Sequence, residues 1–292
     1  MRDGNAWIPL LRKLVVFKFL FYIVSLEAIN LDSFRTQFWI EEKKWYVTYD
    51  RWDDCNSSLL YTNPYCGKHW IRSSYATARL VTESTGLEPT TFPHVNYLSI
   101  NNISEIDDVL WTQFTRLNHL VIEQNLNTVF EYIATRLDLS HLTSFSCNRA
   151  DIEIPINDFV RILHSLPQLR SLSLPISILL FLFDRKWPRI VDLNIMSPYP
   201  FPFVPLISIQ IDSLWHSFNR LETMTFCRET FQDVARLFDN RAITLSTVMI
   251  RHSDHLADYD PRLITYEWLD KNTKLRQFDY FCNDAHIVFM WI

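Results

Sequence analysis

The segment Leu166-Pro-Gln-Leu169-Arg-Ser-Leu172-Ser-Leu174 (LPQLRSLSL) decides the fold of this chain. Its apolar residues follow a fixed frame: apolar, two residues, apolar, two residues, apolar, one residue, apolar. The last part of the frame alternates with a period of two, which predicts a short strand buried on one face. The segment Trp187–Ile195 (WPRIVDLNI) repeats the frame, with its second apolar residue 21 positions after Leu169.

The frame recurs along most of the chain. Because 48% of the residues are apolar, single matches arise by chance, and regular spacing is the better evidence. The mean step between copies is about 26 residues, within the range of leucine-rich repeats. A further copy, Leu11-Leu14-Phe17-Phe19, stands near the start. The second apolar positions of the other copies are Val95, Leu117, Leu142, Leu169, Ile190, Leu221, Leu245 and Leu275.

The stretches between copies have the period of amphipathic helices. Ile211, Leu214, Trp215 and Phe218 share one helical face, and 156–163 shows the same pattern. A strand followed by a helix cannot bury its apolar face alone, so such units must stack. We therefore predict an α/β fold, an irregular leucine-rich-repeat solenoid with a parallel sheet on the concave face and helices on the convex face.

The domain organisation follows from the same repeat. The turn position that usually carries Asn or Cys is Asn in only two copies, at Asn125 and Asn283, which predicts irregular turns. The block 41–89 fits the frame poorly and is rich in aromatic residues. We expect one leucine-rich-repeat-like domain over 1–292, with 41–89 as an irregular insertion between the first repeat and the rest.

The shortage of glycine excludes several kinds of catalytic and nucleotide-binding site. With only Gly4, Gly67 and Gly86, neither a P-loop nor a dinucleotide-binding turn nor a nucleophile elbow can be written. The cluster 252–255 (HSDH) has no second ligand set and is interpreted as a solvated turn, and 66–69 (CGKH) as a loop. We predict no enzymatic activity, no catalytic residue, no metal and no cofactor.

Charge and cysteine content limit the partners and the compartment. Lys plus Arg is 28 and Asp plus Glu is 33, a net charge of −5 without a basic stripe, so no nucleic-acid partner is expected. Five scattered cysteines indicate a reducing compartment, cytoplasmic or nuclear. The apolar run Leu14–Leu26 contains Lys18 and is shorter than the roughly 20 residues that span a bilayer. We interpret it as core, and expect no membrane partner.

The candidate binding surface is the concave face of the predicted sheet. Side chains that flank the buried strand positions point away from the core, because successive residues of a strand face opposite sides. These residues show no strong charge or aromatic stripe, so they identify no particular ligand. They are Ser99, Asn101, Val121, Glu123, Ser146, Asn148, Ser173, Asn194, Met196, Thr225, Met249, Arg251 and Asp279.

Three short segments carry a resemblance to a known family. Phe34–Val47 (FRTQFWIEEKKWYV), Leu59–Tyr65 (LLYTNPY) and His286–Ile292 (HIVFMWI) resemble a divergent, expanded invertebrate family of F-box-associated leucine-rich-repeat proteins. In that family an F-box binds the adaptor of a cullin–RING ubiquitin ligase, and the repeats recruit a target. The Leu-Pro-x-Glu-type segment that opens an F-box is not written here. The resemblance therefore implies adaptor binding only if an F-box is encoded upstream of Met1.

Together these features predict a non-enzymatic protein-interaction scaffold. By the resemblance, it is the target-recognition part of an F-box-type ubiquitin-ligase receptor, with a protein target that the sequence does not name. The alternative is a secreted or cell-surface leucine-rich-repeat binding protein. The glycosylation patterns at Asn56 and Asn102 favour that alternative, whereas the sparse cysteines oppose it.

Overall fold

A computed structural model describes most of the chain. The described residues are 3–24, 29–52, 57–71, 80–87, 92–100, 114–123, 133, 135–148, 156–196, 206–227, 234–238, 244–251, 264–273, 275, 277–282 and 287–292. The chain divides into two compact units. Unit 1 comprises 1–123 and 129–141, and unit 2 comprises 124–128 and 142–292. The expectation of a single domain with an insertion stays a prediction.

Unit 1 begins with an antiparallel sheet. After a 3-10 turn (Asn5–Trp7) and the short helix α1 (Ile8–Leu11), the chain forms an edge strand, β1. A 3-10 turn (Leu31–Phe34) and a π-helical turn (Phe38–Glu42) then lead into the other strands. The order of the strands across the sheet is β1-β3-β2-β5, and all three pairings are antiparallel. The strands are β1 (Leu20–Val24), β2 (Tyr46–Trp52), β3 (Ser57–Asn63) and β5 (Leu80–Ser84).

An aromatic cluster covers one face of this sheet. Trp39 is fully buried at its centre and contacts the rings of Phe34 and Phe38. Its indole Nε1 donates a 3.2 Å hydrogen bond to the carbonyl of Gly4, which ties the start of the chain to the sheet. The family-like segment 34–47 thus supplies much of the core of unit 1.

Three parallel strands complete the described part of unit 1. β4 (His69–Ile71), β6 (Tyr97–Ile100) and β7 (His119–Ile122) lie in that order. The carbonyl of Lys68 accepts hydrogen bonds from the amides of Asn96 and Tyr97. The carbonyl of Asn96 accepts in the same way from residues 118 and 119. Each strand is therefore docked on the next by one carbonyl that binds two amides.

A row of rings joins the antiparallel sheet to these parallel strands. Tyr61 meets Tyr65 edge to face at 5.0 Å, Tyr65 contacts Phe92 at 5.3 Å, and Phe92 stacks on Phe114 at 5.0 Å. All four rings are buried. Burial of such rings supplies much of the apolar area that stabilises a core.

Unit 2 contains a mostly parallel sheet. In the described residues its strands lie in the order β8-β9-β10-β11-β12-β14-β13. The pairings from β8 to β12 are parallel, and β14 is antiparallel to both of its neighbours. The strands are β8 (Ser144–Cys147), β9 (Ser171–Pro175), β10 (Asp192–Met196), β11 (Thr223–Cys227), β12 (Thr247–Arg251), β13 (Asp279–Cys282) and β14 (Val288–Trp291).

The carbonyl ladder of unit 1 recurs in unit 2 with the period of the sequence frame. The carbonyls of Thr143, Arg170, Val191 and Glu222 each accept two successive amides from the next unit of the series. Each of these residues directly follows the second apolar position of a frame. The frame therefore marks a repeated backbone linkage as well as buried side chains.

Helices cover the buried face of this sheet. Phe159 of α2 (Ile156–Ser165) contacts the ring of Phe145 at 5.9 Å, and Phe145 is fully buried in β8. The described residues of unit 2 also contain the helices α3 (Ile176–Leu179), extended by a 3-10 turn (Leu180–Leu182), α4 (Ser208–Ser217), α5 (Val234–Leu237) and α6 (Tyr266–Asn272). The predicted stripe Ile211, Leu214, Trp215 and Phe218 is buried, which confirms α4.

The structure shows a mixed α/β fold with mostly parallel strands around Leu98, Leu120, Leu172 and Leu193, as the frame predicts. The first and last copies of the frame differ from the prediction. The copy at 11–19 leads into the antiparallel β1, and Leu14 is 42% exposed. The last copy forms β13, which pairs with the antiparallel β14. Within the described residues, no helix is long and apolar enough to cross a membrane.

Candidate protein-interaction face

The face of the unit 2 sheet opposite the helices is called the sheet face here. Because the parallel strands are in register, its side chains form straight rows across the strands. The central row contains Ser146, Ser173, Asn194, Thr225, Met249, Phe289 and Phe281. The adjacent row contains Ser144, Ser171, Asp192, Thr223, Thr247, Trp291 and Asp279.

The rows are polar on β8, β9 and β10 and are held by hydrogen bonds between neighbouring strands. Ser171 Oγ donates to Asp192 Oδ2 at 2.7 Å, and Asn194 Nδ2 donates to Ser173 Oγ at 2.7 Å. On β8, Ser146 Oγ donates to Asn148 Oδ1 at 3.0 Å. These bonds fix the side chains in one arrangement, which lowers the entropy lost when a partner binds.

The central row becomes apolar on β12, β14 and β13, and the adjacent row contributes Trp291 on β14. Phe289 lies between Phe281 and Trp291, with ring centroids 6.1 Å and 6.4 Å away. Phe281 is 54% exposed and Trp291 is 46% exposed, and Met249 is the partner of Phe289 on β12. The sheet face therefore has a fixed polar part and an exposed aromatic part, which we call the aromatic patch (Met249, Phe281, Phe289 and Trp291).

In unit 1, the corresponding positions of β6 and β7 are Tyr97, Ser99, His119 and Val121, of which only Val121 is apolar. Ser99 Oγ donates to Glu123 Oε1 at 2.9 Å, and the rings of Tyr97 and His119 are in contact at 6.3 Å. Burial, and then the charge of Glu123, raise the pKa of Tyr97 above its usual value, so its phenol stays protonated.

The structure places most of the predicted site residues on strand faces as expected, but it changes their exposure. Ser99 is only 1% exposed, with its hydroxyl bound to Glu123, and Thr225 is only 8% exposed, so neither offers a contact surface. Asn101 lies outside the described residues. The other predicted residues are partly or fully exposed: Val121, Glu123, Ser146, Asn148, Ser173, Asn194, Met196, Met249, Arg251 and Asp279.

The frame misses two groups of residues. Ser171 and Asp192 lie two residues before the predicted Ser173 and Asn194 on the same strands. Their alternation with the buried Leu172 and Leu193 could have found them. Phe289 and Trp291 were missed because β14 carries no copy of the frame. Only the alternation of Val288 and Met290 with these aromatic residues indicates a strand there.

The described residues contain no group of three or more His, Cys, Asp or Glu side chains placed to hold a metal ion. Cys66, Cys147, Cys227 and Cys282, the cysteines of the described residues, form no disulfide bond. The 252–255 cluster and Cys55 lie outside the described residues. Of the segment 66–69, the backbone of His69 is described but its side chain is not.

No family model matches the chain, and no curated protein matches it.

Proposed function

We propose that this chain is a non-enzymatic protein-interaction scaffold and that the sheet face of unit 2 is its binding surface. The observation that carries the proposal is the aromatic patch beside a row of hydrogen-bonded polar side chains. Protein interfaces commonly have aromatic residues at the centre and polar residues at the rim. The sheet face has both components on one rigid element.

The energetics favour the aromatic patch as the anchor. Exposed Phe and Trp side chains gain about 25 cal/mol for each Å² that a partner covers. Large aromatic residues also dominate measured binding energies at interfaces. Since Phe281 and Trp291 are held by backbone pairing within β13 and β14, little ordering is required when they bind.

We further propose that the strand–helix units of unit 2 stack as an irregular leucine-rich-repeat solenoid, with the sheet face as its concave side. The repeated carbonyl ladder and the helices on the opposite face support this reading. The narrower role, target recognition within an F-box-type ubiquitin-ligase receptor, rests on the family-like segments 34–47, 59–65 and 286–292.

A matched pair of variants tests the binding surface. Phe281→Ala combined with Trp291→Ala removes the exposed rings of the patch. Phe181→Ala removes a ring of similar exposure, 51%, which lies on the 3-10 turn after α3. Proteins captured from a lysate by crosslinking are compared by mass spectrometry for wild type and both variants. A protein captured by wild type and F181A, but lost with F281A/W291A, is the expected result.

Equal capture by all three chains contradicts the sheet face as the binding surface. The ligase role has its own test, co-purification of the full-length gene product with a cullin–RING adaptor. Lack of adaptor binding rejects that role and leaves protein binding to be judged by the first experiment.

A further inference from the structure

A cationic cleft lies at the amino-terminal edge of the unit 2 sheet. Its volume is about 610 Å³, and it follows the loops that lead into β9, β10, β11 and β12. Arg170, Arg189 and Arg220 line it, together with a single acidic residue, Glu222. The repeat explains this grouping, because each arginine is the immediate neighbour of a second apolar frame position, and these positions stack along the sheet.

The positive charge of the cleft is not neutralised. In the described part of the chain, none of the three guanidinium groups has a carboxylate within 4 Å. Arg189 Nη1 donates a long, weak hydrogen bond of 3.5 Å to the carbonyl of Pro167. Three exposed arginines on one cleft therefore keep their donors available, although the chain as a whole carries a net charge of −5.

A smaller cavity of about 280 Å³ adjoins the cleft and shares Leu169, Pro188 and Arg189 with it. Its wall includes the buried ring of Trp187, stacked on His164 at 4.1 Å. Burial, followed by the charges of Arg185 and Arg189, lowers the pKa of His164, so its ring is uncharged at neutral pH. The cavity thus has a largely apolar wall beside the arginines, and Lys186 is the other cationic side chain that lines it.

We propose that this cleft binds an acidic peptide segment of a protein partner and that the smaller cavity holds one apolar side chain of that segment. Guanidinium groups match the planar geometry of carboxylates and bind them with two parallel hydrogen bonds. The open form of the cleft suits an extended chain. The inference rests on the proposed function in taking a protein as the partner, but it concerns an edge of the sheet distinct from the sheet face.

Charge complementarity selects this occupant. Glu222 and the acidic chain as a whole oppose a long polyanion such as nucleic acid, which needs an extended basic surface. An acidic peptide needs only a local group of arginines. The apolar cavity gives it a second contact that a strand of phosphates does not use.

The test uses short synthetic peptides and fluorescence anisotropy with the full chain. One peptide carries a leucine flanked by glutamates, a second replaces the glutamates with glutamine, and a third replaces the leucine with serine. A single-stranded DNA of the same charge is the fourth probe. The triple variant R170A/R189A/R220A is compared with K13Q/R161Q/K271Q, which removes equal charge from exposed positions outside the cleft.

We expect only the glutamate–leucine peptide to bind well, and its Kd to rise about tenfold or more in the arginine variant, since charge-assisted hydrogen bonds are lost. The charge-matched variant should change the Kd less than about twofold, because exposed charges at a distance are screened. R189E places a repelling charge in the middle of the cleft and should abolish binding, even if the triple variant does not fold.

Three results would overturn the proposal. They are an unchanged Kd in R189E, an equal loss of affinity in the charge-matched variant, and tighter binding of the DNA than of the peptide. The peptide assay with F281A/W291A separates this proposal from the proposed function. Normal peptide binding in that variant shows that the cleft is intact, even if the variant no longer captures a protein at the sheet face.

Discussion

The phenol ring of Tyr65 lies directly over Gly67. A methyl group added at Gly67 would come within 2.7 Å of the ring, closer than two carbon atoms can approach. Gly67 directly precedes Lys68, whose carbonyl accepts two amides in the ladder. In the other copies of the frame, the residue at this position is apolar. The buried ring of Tyr65 fills that space instead, so this unit uses the side chain of a neighbouring residue.

Gly67→Ala should therefore destabilise unit 1. Tyr65 is only 2% exposed and packs against Tyr61 and Phe92, so it has no room to withdraw. Overpacking of this kind costs about 1–3 kcal/mol. Urea unfolding followed by fluorescence measures the loss. Gly86→Ala is the control, because its new methyl would be 3.1 Å from Tyr46 and should cost less. An equal effect of both substitutions contradicts the packing argument.

Substitution of two buried tryptophans by phenylalanine should change the stability of the chain by different amounts. Trp187 Nε1 donates a 3.0 Å hydrogen bond to the carbonyl of Leu182, whereas Trp215 Nε1 is buried without a partner. Both substitutions remove similar volume, but only Trp187→Phe removes a hydrogen bond. We expect Trp187→Phe to lower the free energy of unfolding by about 1 kcal/mol more than Trp215→Phe. Chemical denaturation measures the free energy of unfolding of both variants. A larger loss in Trp215→Phe would contradict a stabilising hydrogen bond at Trp187.

Neighbouring residues of β14 should differ sharply in their contribution to stability. Met290 is fully buried, and Trp291, on the opposite face, is 46% exposed. Met290→Ala should cost about 2–5 kcal/mol through the cavity that it leaves. Trp291→Ala should cost less than about 1 kcal/mol and act instead on partner binding. Thermal unfolding monitored by circular dichroism measures both. Similar losses would mean that β14 does not pack as described.

The carboxyl group of Asp50 should make unit 1 sensitive to pH. Burial raises its pKa above 3.8, while hydroxyl hydrogen bonds from Thr82 at 2.7 Å and Tyr61 at 2.8 Å oppose the shift. Between pH 3.8 and the raised folded-state pKa, the folded chain holds a proton that the unfolded chain has released. Stability contributed by Asp50 is therefore present below this window and is lost as the pH rises through it.

Asp50→Asn removes this titration and keeps the shape of the side chain. The free energy of unfolding of the variant, relative to wild type, should rise as the pH increases through the window. The gain is about 1.4 kcal/mol for each unit that separates the two pKa values. Urea unfolding at a series of pH values measures the difference. A difference between the two chains that stays constant with pH would contradict the assignment.

The sequence predicts the parallel strands well, because the buried side chains and the carbonyls that link neighbouring strands recur with the same spacing along the chain. Leu98, Leu120, Leu172 and Leu193 are fully buried in the strands where the frame places them. The frame fails at β4, where Gly67 replaces the apolar residue, and in the copy at 11–19, where Leu14 is 42% exposed and the chain leads into the antiparallel β1. An antiparallel partner distant in sequence leaves no local periodic signal.

The candidate site is predicted only in part for the same reason. Alternation along each strand correctly assigns Ser173 and Asn194 to one face, and the register brings them into contact. Ser99 and Thr225 are buried, and alternation along a single strand does not reveal that burial. The contact of Phe281 with Phe289 depends on a hairpin-like pairing that sequence spacing does not specify.

The carbonyl ladder has a further consequence at Ser246. There the carbonyl accepts the amide of Ile292, from the end of β14, at 3.0 Å, and so the next parallel unit has no docking point. A series of parallel strands is open-ended in principle, since each strand offers the same edge to another. The antiparallel β14 occupies that edge of β12. One antiparallel strand therefore ends the parallel series after β12.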